Sequence, residues 1–161
     1  MQGVGGVTLA TSVWSPESDA EVVADVVLIH GYGEHSRRYV PVAEVLTASG
    51  LRVSALDHRG HGRSTGVPRG DIDDFEHLVD DVAAFVEAVR GDVPLFLYGH
   101  SMGGLAAVRL AERGDKHLAG MIVASAAIVP AESIPAPVVK LANVLGKLTP
   151  GLRVVQLEGD A

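Results

Sequence analysis

Gly99-His100-Ser101-Met102-Gly103 stands between Val93–Tyr98, which has the composition of a buried strand, and Gly104–Arg113, a helix-forming stretch of small and apolar residues. A Gly-x-Ser-x-Gly in that setting is a nucleophile elbow, a tight turn that holds its serine in a strained backbone conformation. The flanking glycines belong there because a side chain would collide with the neighbouring strand or helix as the chain reverses. Ser101 is the candidate nucleophile, and attack on an acyl carbonyl is the chemistry it would perform.

Such an attack puts negative charge on the carbonyl oxygen, which needs preorganised donors. The backbone N–H of Met102, at the start of the elbow helix, is the natural first donor. A second is expected from the glycine-rich turn His30-Gly31-Tyr32-Gly33-Glu34-His35, with the N–H of Tyr32 as the best candidate. A third polar segment, Asp57-His58-Arg59-Gly60-His61-Gly62-Arg63-Ser64, also follows an apolar run. In an open parallel sheet, active groups gather where strands deliver their C-terminal ends, and these segments meet at that edge.

The elements behind them follow from hydrophobic patterning. Gly6–Trp14 alternates weakly and reads as an edge strand. Val22–His30 is an almost continuous apolar run, the mark of a strand buried on both faces. Pro41 opens a helix with Val42, Val45 and Leu46 on its inner face, and Gly50 closes it. Leu51–Leu56 is a short strand. Phe75, Leu78, Val79, Val82, Val86 and Val89 recur at helical spacing behind Asp73 and Asp74, which complement the helix dipole. Gly114 ends the elbow helix, and Leu118–Ala124 is expected as one more buried strand. The alternation implies parallel strands with right-handed crossovers. Beyond Pro130, Pro135 and Pro137, Val138–Leu148 offers a helix with a wide apolar face, either an ordinary core helix or a lid over an apolar substrate.

Composition bounds the function. The 161 residues are one domain's worth of chain, with 47% hydrophobic and 20% charged residues. A net charge of −7 and the lack of a basic stripe argue against a nucleic-acid partner. There is no cysteine, so thiol catalysis and disulfides are excluded. No signal peptide or membrane-spanning run is visible, and the expected location is cytoplasmic.

The three polar segments, in their order and spacing, resemble the α/β-hydrolase superfamily, and within it the monoacylglycerol lipase (serine aminopeptidase-like) branch. The resemblance runs from about Gly6 to Leu152. It implies an α/β fold, a mostly parallel sheet with helices on both faces, ending before the family's last strands. Residues 1–130 would be the N-terminal part of the hydrolase core, and 131–161 the beginning of a cap. By the same resemblance Ser101 matches the nucleophile, while Tyr32 and Met102 match the oxyanion-hole positions. No metal or organic cofactor is implied. The implied substrate is a monoacylglycerol or lysophospholipid ester, and the cap could make loose contact with a membrane surface. Tyr32 departs from the small residue of some relatives, which a backbone donor tolerates. Oligomeric state is not legible.

A triad on this fold runs Ser, then Asp or Glu, then His. After Ser101 the only histidine is His117, with Asp115 beside it. Both precede the strand Leu118–Ala124 and so belong to the wrong edge of the sheet. A strand of that length spans about 17–20 Å, far beyond the reach of about 3 Å that a general base needs. The resemblance assigns His30, His35, His58 and His61 to loop architecture and the oxyanion turn, His100 points away from its neighbour Ser101, and His77 belongs to a helix surface. Asp160 has no histidine after it. The triad acid and base are therefore expected to be missing from the chain. Three readings stay open: part of an ester hydrolase, a non-catalytic remnant that binds a lipid or partner, or one half of a split hydrolase.

Overall fold

The computed structural model describes residues 1–17, 20–114, 118–128 and 135–148. Five strands form its frame: β1 (Thr11–Trp14), β2 (Ala24–Ile29), β3 (Leu51–Leu56), β4 (Leu95–His100) and β5 (Leu118–Ala124). The helices are α1 (Val40–Ala48), α2 (Phe75–Val89), α3 (Met102–Glu112) and α4 (Ala136–Leu148). The strands lie side by side in the order β1-β3-β2-β4-β5. The pairs β2–β3, β2–β4 and β4–β5 are parallel, and β1 runs antiparallel to β3 at the edge.

The central strand β2 is buried along its whole length, as a continuous apolar run requires. Its alternate residues serve two cores. Val27 and Ile29 join Leu56 and Leu97 beneath α2 and α3, where they meet Leu78, Val82, Phe85 and Leu110. Val26 and Leu28 join Val53 and Ala55 on the other face, beneath Ala43 of α1 and Tyr39. Asp25, within β2, is neutralised by Arg52 on β3 through two bonds of 2.7 and 2.8 Å.

Several expectations need correction. The edge strand starts at Thr11 rather than Gly6, because Val4–Gly6 form a 3-10 turn with Gly5 and Gly6 at φ 70° and 81°. The strand before the elbow is displaced to Leu95–His100, so pairing with β5 continues right up to the turn, His100 opposite Ala124. On α1, Val45 is not an inward residue but 68% exposed. The chain enters α1 through the 3-10 turn Ser36–Tyr39, which leaves Tyr39 and Ala43, four residues apart, on the buried side. On α2 the expected stripe holds and gains Phe85 and a buried acid, Asp81. Asp74 caps the helix by accepting from the Glu76 N–H at 2.9 Å.

The largest departure is β5, which was expected to be buried. Met121, Ile122 and Val123 are all exposed, because β5 has β4 as its one neighbour among the described residues and lacks a covering element on its outer side. In α4 the apolar residues Val138, Leu141, Val144, Leu145 and Leu148 are exposed too. Among the described residues no helix is long and apolar enough to cross a membrane.

Candidate active site

Ser101 sits at φ 51°, ψ −114°, a backbone conformation that suits glycine and strains any residue with a Cβ. The surrounding bonds hold it there. Its N–H donates to the Ala124 carbonyl at 2.9 Å, and its own carbonyl accepts from the N–H groups of Leu105 (3.0 Å) and Ala127 (3.2 Å). The flanking glycines answer to close approaches. A Cβ on Gly99 would lie 2.6 Å from the Gly103 carbonyl oxygen. A Cβ on Gly103 would strike the Ile29 carbonyl oxygen and lie 2.6 Å from that of His30. Glycine at 103 thus lets the start of α3 rest directly on the end of β2.

The turn after β2 closes on itself. The Glu34 N–H donates to the Gly31 carbonyl at 3.3 Å, and the Gly31 N–H donates to Glu34 Oε2 at 2.9 Å. Gly33, at φ 73°, makes the bend. A Cβ on Gly31 would be 3.2 Å from Ser101 Cβ, so this turn abuts the elbow. Among the described residues neither the Tyr32 nor the Met102 N–H has an acceptor. The Tyr32 side chain reaches to the 57–70 loop, where its hydroxyl donates to the Gly70 carbonyl at 2.8 Å and its ring meets His61 edge-on.

That loop is knotted by Asp57, which is fully buried. Its carboxylate accepts from the Ser36 N–H at 2.8 Å and from the Arg63 backbone and Nε at 2.9 and 3.2 Å. Burial opposes the charge, yet the bonds from Ser36 and Arg63 outweigh it and hold the acid below its ordinary range. His30, His58 and His61 pack together, with the His30 and His58 ring centroids 4.3 Å apart. His30 Nε2 accepts from the His58 N–H at 3.0 Å, which assigns its proton to Nδ1, facing the Gly31 carbonyl at 2.7 Å. Burial drives His30 down to about 4, and lowers His58 and His61 as well. All three are neutral supports of the loops. Arg59 is buried between Asp81 (2.9 Å) and Asp73 (2.7 Å), and ties the loop to the N-terminal end of α2.

No imidazole is hydrogen-bonded to Ser101 Oγ among the described residues. His100 is turned to Tyr39 and Glu34, at 3.0 and 3.3 Å, and His77 to Asp73 on the surface of α2. His35 precedes the 3-10 turn. Asp115, His117 and Asp160 lie outside the described residues. Among the described residues no group of three or more acids or histidines could hold a metal ion. The sequence reading missed Glu34, Tyr39, Asp57 and the Arg59–Asp81 pair. Two of these had a local signal: Glu34 follows Gly31 by one turn's length, and Asp81 falls inside the apolar stripe of α2.

The described arrangement is a strained serine at a strand-to-helix turn, beside two free backbone donors. The model of the serine aminopeptidase S33 family matches residues 20–161. The chain belongs to this family. It is 41% identical to a monoacylglycerol lipase of Mycolicibacterium smegmatis over 99% of its own length and 57% of that protein's. It is 37% identical to human monoglyceride lipase, covering 91% of this chain and 49% of the relative. Among solved structures, the monoglyceride lipase of Saccharomyces cerevisiae superposes with a TM-score of 0.83 at 28% identity, covering 98% of this chain and 55% of that one. That of Paleococcus ferrophilus gives 0.75 at 34% identity, covering 90% and 53%. The fold is that of the α/β-hydrolases. The chain spans about half the length of the relatives it matches.

Proposed function

We propose that Ser101 is the nucleophile of a carboxylic ester hydrolase whose substrates are monoacylglycerols or lysophospholipid-like esters. The observation that carries this reading is the strained elbow at φ 51° beside the unpaired N–H groups of Tyr32 and Met102. Ser101 Oγ would attack the ester carbonyl carbon and pass its proton to a base. The oxygen of the tetrahedral intermediate would take the two backbone hydrogen bonds. Collapse would expel the alcohol, protonated by the same base, and water would then release the acid from the acyl-serine. The likeness to monoacylglycerol and monoglyceride lipases supports the substrate class, with α4 as the beginning of a cap whose exposed apolar face would receive the acyl chain.

The acid and base are not among the residues described beside Ser101, so the chain by itself should be a weak catalyst. Enzymes stripped of triad members keep about 10³–10⁴-fold acceleration over water. The test is hydrolysis of a p-nitrophenyl ester and of monooleoylglycerol, together with labelling by a fluorophosphonate probe. Slow activated-ester turnover that vanishes in Ser101→Ala, with negligible monoacylglycerol turnover, is expected. Identical rates for Ser101→Ala and the parent would remove the serine from the chemistry. The uncovered strand β5 favours a second reading, one half of a split hydrolase. Restored monoacylglycerol turnover on mixing with the C-terminal half of the Mycolicibacterium smegmatis relative would support it.

A further inference from the structure

Gly31, Glu34, Tyr39 and His100 come from three separate segments and converge on one oxygen atom. Glu34 Oε2 accepts from the Gly31 N–H at 2.9 Å and from the Tyr39 hydroxyl at 2.6 Å, and lies 3.3 Å from His100 Nδ1. Tyr39 Oη is also 3.0 Å from that nitrogen. A carboxylate can only accept, so the proton sits on His100 Nδ1 and is shared between Glu34 and Tyr39. The ring of Tyr39 is buried between α1 and the sheet and packs edge-on against Tyr98 of β4, so its hydroxyl is fixed from behind. Gly31 belongs to the turn that presents the Tyr32 N–H, and His100 is the residue before the nucleophile. Burial works against a charged Glu34, but the bonds from Tyr39, Gly31 and His100 prevail and keep it ionised. Tyr39 is correspondingly raised, first by burial and then by its bond to Glu34.

We propose that Glu34 is a positioning residue, a carboxylate clamp that holds the Gly31–Glu34 turn in register with the Ser101 elbow so that the donors on the two segments face one oxygen. This rests on the reading of Tyr32 and Met102 as oxyanion donors. The physical need is plain: among the described residues no backbone hydrogen bond joins the turn that carries the Tyr32 N–H to the elbow, while useful oxyanion donors must sit about 2.7–3.1 Å from the oxygen they serve. A side chain at Gly31 would press on Ser101 Cβ, so glycine there lets the turn lie close to the elbow. The Glu34 bonds stop it from drifting away.

The experiment uses the full chain labelled with nitrogen-15, as parent, Glu34→Ala, Glu34→Gln and Tyr39→Phe. Amide hydrogen exchange is read at Gly31, with β3 and α2 amides as internal controls, alongside p-nitrophenyl ester hydrolysis. Removing a hydrogen bond to a charged group is worth about 1.5–3 kcal/mol, equivalent to roughly 10–150-fold. Exchange at Gly31 should rise by about that factor in Glu34→Ala while the control amides stay protected. The same variant should lose kcat with KM nearly unchanged. Glu34→Gln, whose amide oxygen still accepts from Gly31 and Tyr39, should recover most of both, and Tyr39→Phe should fall between. If Glu34→Ala does not fold, the glutamine and phenylalanine variants carry the comparison. Unchanged Gly31 exchange in folded variants, or a KM effect with kcat intact, overturns the clamp. An inactive parent chain would instead tell against the hydrolase reading, and Gly31 exchange would still decide whether Glu34 holds the turn.

Discussion

Ser101 and Gly103 show opposite relations between a residue and its backbone. Ser101 occupies φ 51°, ψ −114°, where a side chain is unwelcome, and the proposed nucleophilic role accounts for its presence there. Such strain is worth about 1–3 kcal/mol, part of which glycine gives back through the greater entropy of its unfolded chain. Ser101→Gly should therefore stabilise the protein by about 1 kcal/mol while abolishing hydrolysis. Urea denaturation would show a higher midpoint with an unchanged slope, and a lower midpoint would mean that the elbow is not strained. Gly103 fills a place where nothing larger fits, against the carbonyl oxygens of Ile29 and His30. Gly103→Ala must push α3 off the end of β2, with an expected cost of about 1–3 kcal/mol from overpacking. The same melts measure it, and a neutral result would show that α3 slides freely on β2.

Elements were legible in the sequence where one local rule governed them, and obscure where a distant partner did. The period of Leu78, Val79, Val82 and Val86 and the Asp74 cap define α2 without tertiary information. The turns that carry Ser101, Tyr32 and Met102 were legible because glycine spacing marks turns. Val45 was misplaced because the 3-10 turn Ser36–Tyr39 sets the rotation of α1, and apolar spacing within the helix carries no record of it. Glu34 and Asp57 look like ordinary loop acids until the folded chain aims several donors at each. Strand β5 teaches the converse. Its sequence is that of a buried strand, and successive residues point to opposite faces, yet Met121, Ile122 and Val123 are all exposed. With 56% of Ile122 exposed on a strand paired along one side among the described residues, the chain presents a template for its own association. Sedimentation velocity should show concentration-dependent self-association. Ile122→Lys should suppress it while leaving stability within about 0.5 kcal/mol, as expected for an exposed site. Association of equal strength in the lysine variant would place the contact elsewhere.

For the molecule as a whole, the buried histidines and the held carboxylates push stability in one direction as pH falls. His30 is held neutral by burial, its bond to the Gly31 carbonyl being too weak to offset that, and titrates at about 4 instead of 6.5. His58 lies well below its ordinary value and His61 below as well, both chiefly through burial. In the unfolded chain these histidines take up protons near 6.5, so between there and about 4 the unfolded state binds more protons than the folded one. Stability is then complete above pH 6.5 and declines as pH falls, and for His30 alone the full decline amounts to about 3 kcal/mol. Asp57 and Glu34, both held below their ordinary values, contribute stability present above those values and lost on further acidification. The carboxylates alone would start acid destabilisation near pH 4.5, whereas the histidines move its onset up by about two pH units. Because His58 donates to the His30 carbonyl and accepts strain from any new charge beside it, the Gly31–Glu34 turn should loosen first. Unfolding free energies from urea titrations at pH 7.5, 6.5, 5.5 and 5.0, spanning the window set by these shifts, should therefore fall steadily by several kcal/mol in all. Gly31 amide exchange should accelerate ahead of global unfolding. A stability that stays flat down to pH 5.0 would mean that these histidines take up protons as readily in the folded protein as in the unfolded chain, contrary to their burial.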